Sequence, residues 1–233
     1  MDLTSIISAD KSLLLTLNGS NNLFADGLAL SLTNAYTWIP LYVALFYMVM
    51  KNNDSLRQII LITALAGICV LLAGTINDSL VKPNIGRWRP THDSEIGTLV
   101  DVVDGYRGGR FGFFSSHAAN TLSVAIFFCL LVRSRSLSVI LILWALVNSW
   151  TRIYLGVHFP LDVVCGLLWG TIVGFGVYFF YKSVFLRLLP VKSSFISSKY
   201  TSSGYVKADI DVVESIMALT LVYCVIKACI VTL

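Results

Sequence analysis

The residues best suited to chemistry lie in Trp150-Thr151-Arg152-Ile153-Tyr154-Leu155-Gly156-Val157-His158-Phe159-Pro160-Leu161-Asp162, a polar seam between two long apolar runs. Ionisable groups are costly at the junction of membrane helices, and those that persist there mark function. Pro160 has no N–H to lose and suits the first turn of a helix, so the apolar run Val163 to Tyr181 is predicted to begin there. His158 then stands just before that helix, and Asp162 in its first turn. From that position the carboxylate can reach back to one imidazole nitrogen, fix the tautomer and leave the other nitrogen as a nucleophile or base. A plainer role fits the same pair: Asp162 favours the helix dipole and His158 is an interfacial polar residue.

A second dense stretch carries Lys82-Pro83-Asn84-Ile85-Gly86-Arg87-Trp88-Arg89-Pro90, followed by His92, Asp93, Glu95, Asp101, Asp104 and Tyr106-Arg107-Gly108-Gly109-Arg110. Pro83 and Gly86 are expected to bend a loop so that Lys82 and Arg89 converge on one anion. Phosphate suits them, since arginine offers a planar fork and lysine a point charge. A basic juxtamembrane loop touching anionic headgroups is the other reading. Next, Phe113-Phe114-Ser115-Ser116-His117 opens another apolar run. Serines at a helix start cap it, its free N–H groups form an anion site, and His117 falls beside that anion.

These residues must be positioned by membrane helices. Of 233 residues, 56% are hydrophobic and 13% charged, with mean hydropathy +0.78. A soluble globule carries about 25% charged residues. A span needs about 20 apolar residues, and roughly six runs qualify: about 27–50, 56–80, 116–134, 137–155, 161–185 and 212–232. The expected fold is an all-α polytopic bundle, a single domain over 23–233. Residues 1–22 are expected to form an amphipathic interfacial helix, ended by Asn18-Gly19-Ser20-Asn21-Asn22, where Ser20 or Asn22 could cap the next helix. Cys69, Cys129, Cys165, Cys224 and Cys229 fall inside the apolar runs and read as packing residues, with no disulfide or metal spacing. The segment from Leu189 to Asp211 reads as a linker before the last span.

Lys82 with six residues before Arg89-Pro90, then Ser115-Ser116-His117, then Arg152 with five residues before His158 and three more before Asp162, resembles the three-part signature of the type 2 phosphatidic acid phosphatase family. The resemblance covers about 82–162 by motif and most of the chain by helix pattern. Where that family usually has Pro-Ser-Gly-His, this chain has Phe114-Ser115-Ser116-His117, and Thr151 stands where it usually has serine. Serine for glycine is expected to narrow the phosphate pocket slightly, and phenylalanine for proline to loosen the approach to the helix. Neither departure removes a group the chemistry needs.

The resemblance implies a metal-independent lipid phosphatase without a cofactor. His158 would attack phosphorus and become a phosphohistidine, with Asp162 orienting and charge-stabilising it. His117 would protonate the leaving oxygen and then help activate water. Lys82, Arg89, Arg152, the Ser115 hydroxyl and the N–H groups near Ser116 would hold the phosphoryl oxygens. The implied partners are the bilayer and a phosphorylated lipid: undecaprenyl diphosphate, phosphatidylglycerol phosphate or a lipid A phosphate. Neither a nucleic acid nor an obligate protein partner is expected. A phosphotransferase using the same site, and a non-catalytic transporter with a basic vestibule, remain open.

Charge orients the bundle. The loops opposite the seam carry nine cations, from Lys51 and Arg57 to Lys199 and Lys207. The seam's own face, its three candidate phosphate ligands set aside, carries five: Lys11, Arg87, Arg107, Arg110 and Lys227. Short loops rich in Lys and Arg stay inside, so the site is expected on the periplasmic face of a bacterial inner membrane.

Overall fold

The computed structural model describes residues 2–20, 22–188 and 198–231. Among them it is all-helical, with an isolated bridge pairing Trp88 with Phe111 and another pairing Tyr200 with Val206. Eight principal helices run in order: α1 (Leu3–Leu17), α2 (Leu23–Thr33), α3 (Ile39–Asn52), α4 (Leu56–Ile85), α5 (Ser116–Val132), α6 (Arg135–Tyr154), α7 (Pro160–Leu188) and α8 (Lys207–Val231). The expected linker over Leu189–Asp211 lies partly outside the described residues, and its described end is already helical from Lys207.

Among the described residues, four helices are long and apolar enough to cross a membrane, and α2 with the segment Ala35–Asn52 would make a fifth. That pair departs from the single run expected at 27–50, because it bends by 65°. Asn34 makes the break: its side chain accepts from Tyr36 N and starts a new turn instead of continuing the old one. Asn22 caps α2 in the same manner, accepting from Phe24 N and Ala25 N, while Ser20 bonds the Tyr154 hydroxyl instead.

The second expected run, 56–80, ends before Lys82. The helix instead continues to Ile85 through two π-helical stretches, Leu71–Thr75 and Asn77–Val81, so Lys82 sits on a helix and not in a loop. Wide π turns relax the hydrogen-bond ladder that Pro83 would otherwise break, and such bulges accompany functional positions. Gly86, left-handed at φ 66°, ends the helix.

A glycine stripe on α7 sets its close packing against α5. A Cβ on Gly166, Gly170 or Gly174 would stand 2.5, 2.5 and 2.8 Å from the carbonyl oxygens of Ser115, Ala119 and Ser123. Small residues at a spacing of four let two membrane helices touch backbone to backbone. The first turns of α5 and α7 are thereby brought together, and Ser115 N donates to Asp162 O at 2.9 Å.

Helix α1 is tied to the rest of the molecule by more than an apolar face. Leu14 is fully buried with Ile96, Val100 and Phe159, and Lys11 bridges Asp93 and Glu95 at 2.9 Å each. Burial opposes the charges of Lys11 and Asp93. The hydrogen bonds and attraction between them outweigh it, raising the lysine's pKa and lowering the carboxyl's.

Candidate active site

His158 lies in the turn between α6 and α7, where Gly156 (φ 64°) reverses the chain and the N–H groups of Val157 and His158 both donate to Arg152 O. Its ring is 1% exposed, and Arg89 Nη1 approaches His158 Nε2 at 3.1 Å while also donating to Val157 O at 2.9 Å. A guanidinium can only donate, so Nε2 is the accepting nitrogen and the imidazole proton sits on Nδ1. Burial, then the charges of Arg89, Arg152 and Lys82, hold the His158 pKa well below the usual histidine range. A neutral imidazole with its Nε2 lone pair among cations is therefore the resting form.

Asp162 stands where the sequence places it, in the first turn of α7 and fully buried. Its Oδ2 accepts from Phe159 N at 3.1 Å and faces His158 Nδ1 at 3.6 Å. The other oxygen, Oδ1, is bound by Arg87 Nη1 at 2.5 Å, and Arg87 Nη2 reaches Asp10 Oδ2 on α1 at 2.6 Å. Sequence reasoning assigns neither Arg87 nor Asp10 to the site. Asp162 and Asp10 lie 75 and 77 residues from Arg87 along the chain, and no local pattern announces such a pairing.

Lys82 Nζ is held by Asp78 at 2.5 Å and by Ser116 Oγ at 3.1 Å. Ser116 Oγ also donates to Asp78 Oδ1 (2.8 Å) and accepts from Asn77 Nδ2 (2.8 Å), whose second bond runs to Phe114 O (2.7 Å). The serine expected to narrow the pocket is thus a hub that fixes Lys82. The phenylalanine expected to loosen the approach to α5 is buried against Trp169, with its carbonyl held by Asn77. Ser115 caps α5, accepting from Ala118 N, which leaves its hydroxyl proton to donate elsewhere. His117 occupies the first turn of α5, half-buried.

Arg152 is 2% exposed and set by Thr33 Oγ1 (2.6 Å) and the Tyr106 hydroxyl (3.0 Å), both accepting from Nη1. Sequence reasoning misses Thr33 and Tyr106 as well, and both lie far from Arg152 along the chain. Gly108 lies against the Arg89 guanidinium, where a Cβ would stand 3.0 Å from Nη1. Burial first, and Arg152 next, push the Arg89 pKa down, the mark of like charges held close. Arg89 Nε, Arg152 Nε and His158 Nδ1 are buried with no hydrogen-bond partner among the described residues. Two buried guanidiniums, each with an unpartnered N–H, beside a neutral imidazole are complementary to a tetrahedral oxyanion.

Comparison with known proteins places the chain in a family. A sequence model of the PAP2 superfamily matches residues 55–185, which include every residue of the three-part signature. The chain belongs to the PAP2 superfamily. A lipid A 4'-phosphatase of Bacteroides thetaiotaomicron is 40% identical over 173 residues, 74% of this chain and 75% of that protein. A lipid A 4'-phosphatase of Porphyromonas gingivalis is 32% identical over 175 residues, 74% and 73% of the two chains. An undecaprenyl-diphosphatase of Bacillus subtilis is 28% identical over 141 residues, 60% and 65%. Among solved structures, the transmembrane PAP2-type phosphatidylglycerolphosphate phosphatase of Bacillus subtilis superposes with a TM-score of 0.57 at 19% identity, covering 81% of this chain and 90% of that one. The class expected of this PAP2 chain, an enzyme that removes phosphate from a membrane lipid, is the class its relatives share.

Proposed function

We propose that this PAP2 protein hydrolyses a phosphate monoester of lipid A at the periplasmic face of the inner membrane, through a phosphohistidine on His158. The substrate rests on one observation: the two relatives at 40% and 32% identity are both lipid A 4'-phosphatases, each matched over about three-quarters of its length. The exposed Arg107 and Arg110 flank Gly108 beside Arg89, which suits a headgroup rich in anionic oxygens.

In the first step Arg89 Nη1 passes its hydrogen bond from His158 Nε2 to a phosphoryl oxygen, the freed Nε2 lone pair attacks phosphorus, the bond to the leaving sugar oxygen breaks, and His117 gives that oxygen its proton. Lys82, Arg89 and Arg152 hold the phosphoryl oxygens as charge builds, with the Ser115 hydroxyl and the N–H groups near Ser116. Asp162 steadies the positive charge that phosphorylation places on the imidazole. In the second step His117 takes a proton from water, the water oxygen attacks phosphorus, the P–N bond breaks and Nε2 regains its electron pair. Side-chain cations supply the charge neutralisation, and the reading takes the reaction to need neither metal nor cofactor.

Six spans orient the bundle in this reading: the four long helices, the bent pair, and the 17-residue α5, which is just long enough. The excess of cations on the loops opposite the seam supports a periplasmic site. Helix α1, with Ile6, Ile7, Leu13 and Leu17 exposed, lies in the interface. The remainder, 23–233, is one transmembrane domain.

A second reading, hydrolysis of undecaprenyl diphosphate, is favoured by the relative at 28% identity. Phosphate release by purified protein in detergent with chelator, over lipid A, undecaprenyl diphosphate and phosphatidylglycerol phosphate, separates the two. Lipid A must be the best substrate, and His158→Ala must abolish release. Better turnover of the diphosphate would replace the first reading with the second.

A further inference from the structure

The N-terminal helix lies outside the residues matched by the family model, yet it delivers a carboxylate to the back of the site. Asp10 is 4% exposed. Its Oδ2 binds Arg87 Nη2, and its Oδ1 accepts from Leu161 N at 2.9 Å, one of the free N–H groups in the first turn of α7. Arg87 lies over the Phe159 ring, 4.3 Å from its centroid, and spends its other nitrogen on Asp162. The line therefore runs Asp10, Arg87, Asp162, His158, with Asp10, Arg87 and Asp162 each held on two sides.

We infer that Asp10 and Arg87 are positioning residues for the hydrolysis, acting on His158 through Asp162. This rests on the phosphatase reading above. Two physical effects combine. Arg87, clamped between carboxylates and stacked on Phe159, keeps Asp162 Oδ1 in place, so Oδ2 stays turned to the imidazole. Asp10 also shares the arginine's charge: one guanidinium faces two carboxylates, so Arg87 offsets less of the field that an ionised Asp162 presents to the imidazole once it is phosphorylated. With Asp10 neutral, Arg87 would be spent on Asp162 alone and would offset more of its charge. Holding groups within a fraction of an ångström of productive geometry acts on turnover more than on binding.

The test compares wild type, Asp10→Asn, Arg87→Gln and the double variant in phosphate release from the best lipid substrate, with kcat and KM measured separately and thermal unfolding in detergent alongside. Asparagine keeps the shape and the bond to Leu161 N. Asp10→Asn is expected to lower kcat about tenfold with KM within about twofold, and to add nothing in the Arg87→Gln background. An unchanged kcat would overturn the inference, as would an equal loss in both backgrounds, the signature of a merely structural role. Should Asp10→Asn fail to fold, Asp10→Glu and Asp10→Gln, equal in length and different in charge, make the same comparison, and equal activities would overturn it. An inactive wild type would instead strike the proposed function, so the two failures are distinguishable.

Discussion

His158 Nδ1 faces Asp162 Oδ2 across 3.6 Å, too far for a full hydrogen bond and close enough to become one. Nδ1 carries the proton, and phosphorylation at Nε2 would make that proton more acidic and draw the carboxylate in. Catalytic contacts are often loose before substrate binds. Asp162→Asn keeps the shape and removes the charge. It is expected to lower kcat by on the order of 10²–10⁴, with KM changed by less than about threefold and an unaltered elution profile in detergent.

The depressed pKa of His158 sets a sign for stability against pH. An unfolded histidine titrates near about 6.5, so below that pH the unfolded chain binds a proton the folded site refuses. This group's contribution is thus intact above about pH 6.5 and is lost as pH falls below it. The apparent Tm in detergent should drop between pH 7.5 and 5, and the drop should shrink in His158→Gln. An equal drop in both proteins would assign the acid sensitivity to other groups.

Ser116 can be tested by restoring the glycine usual in the family's motif. Ser116→Gly removes a hydroxyl that bonds Lys82, Asp78 and Asn77. The loss of about 1 kcal/mol per bond predicts an apparent Tm lower by several degrees and a weaker affinity for inorganic phosphate as inhibitor. The reaction itself should persist, because Asp78 still holds Lys82. Unchanged phosphate affinity would show that this hub does not set the lysine.

Much of the site is legible in the sequence because its parts are local. Pro160 starts a helix, Asp162 comes within a turn of it, and a serine caps a helix before His117; each is a short-range rule that the fold obeys. Lys82 is harder, because Pro83 weighs as a helix breaker, and the π turns that remove that objection leave no clear mark in composition. Asn34 hides inside an apolar run whose average conceals one capping residue. Arg87, Asp10, Thr33 and Tyr106 are out of reach for another reason. Each gains its role from a partner chosen by tertiary packing, and an arginine in a basic loop gives no hint that it stacks on Phe159.

Arg152 and its support separate holding from chemistry. Arg152→Ala deletes a buried guanidinium that the proposed reaction uses to hold the phosphoryl oxygens and should lower kcat/KM by on the order of 10²–10³. Tyr106→Phe removes only one acceptor that sets the guanidinium and should cost about five- to tenfold. Phosphate release by both variants at saturating and limiting lipid checks the order; a larger loss for Tyr106→Phe would contradict it.

The most direct measurement is trapping the covalent intermediate. Purified protein is mixed briefly with lipid A carrying a radiolabelled phosphate, quenched in alkaline denaturant, and assayed for label on the chain in wild type and His158→Ala. Label on wild type that is stable to base, lost in acid and absent from His158→Ala is the predicted result. Turnover of lipid A by wild type with no label on the chain at any quench time, or label that persists in His158→Ala, would contradict His158 as the phosphoryl acceptor.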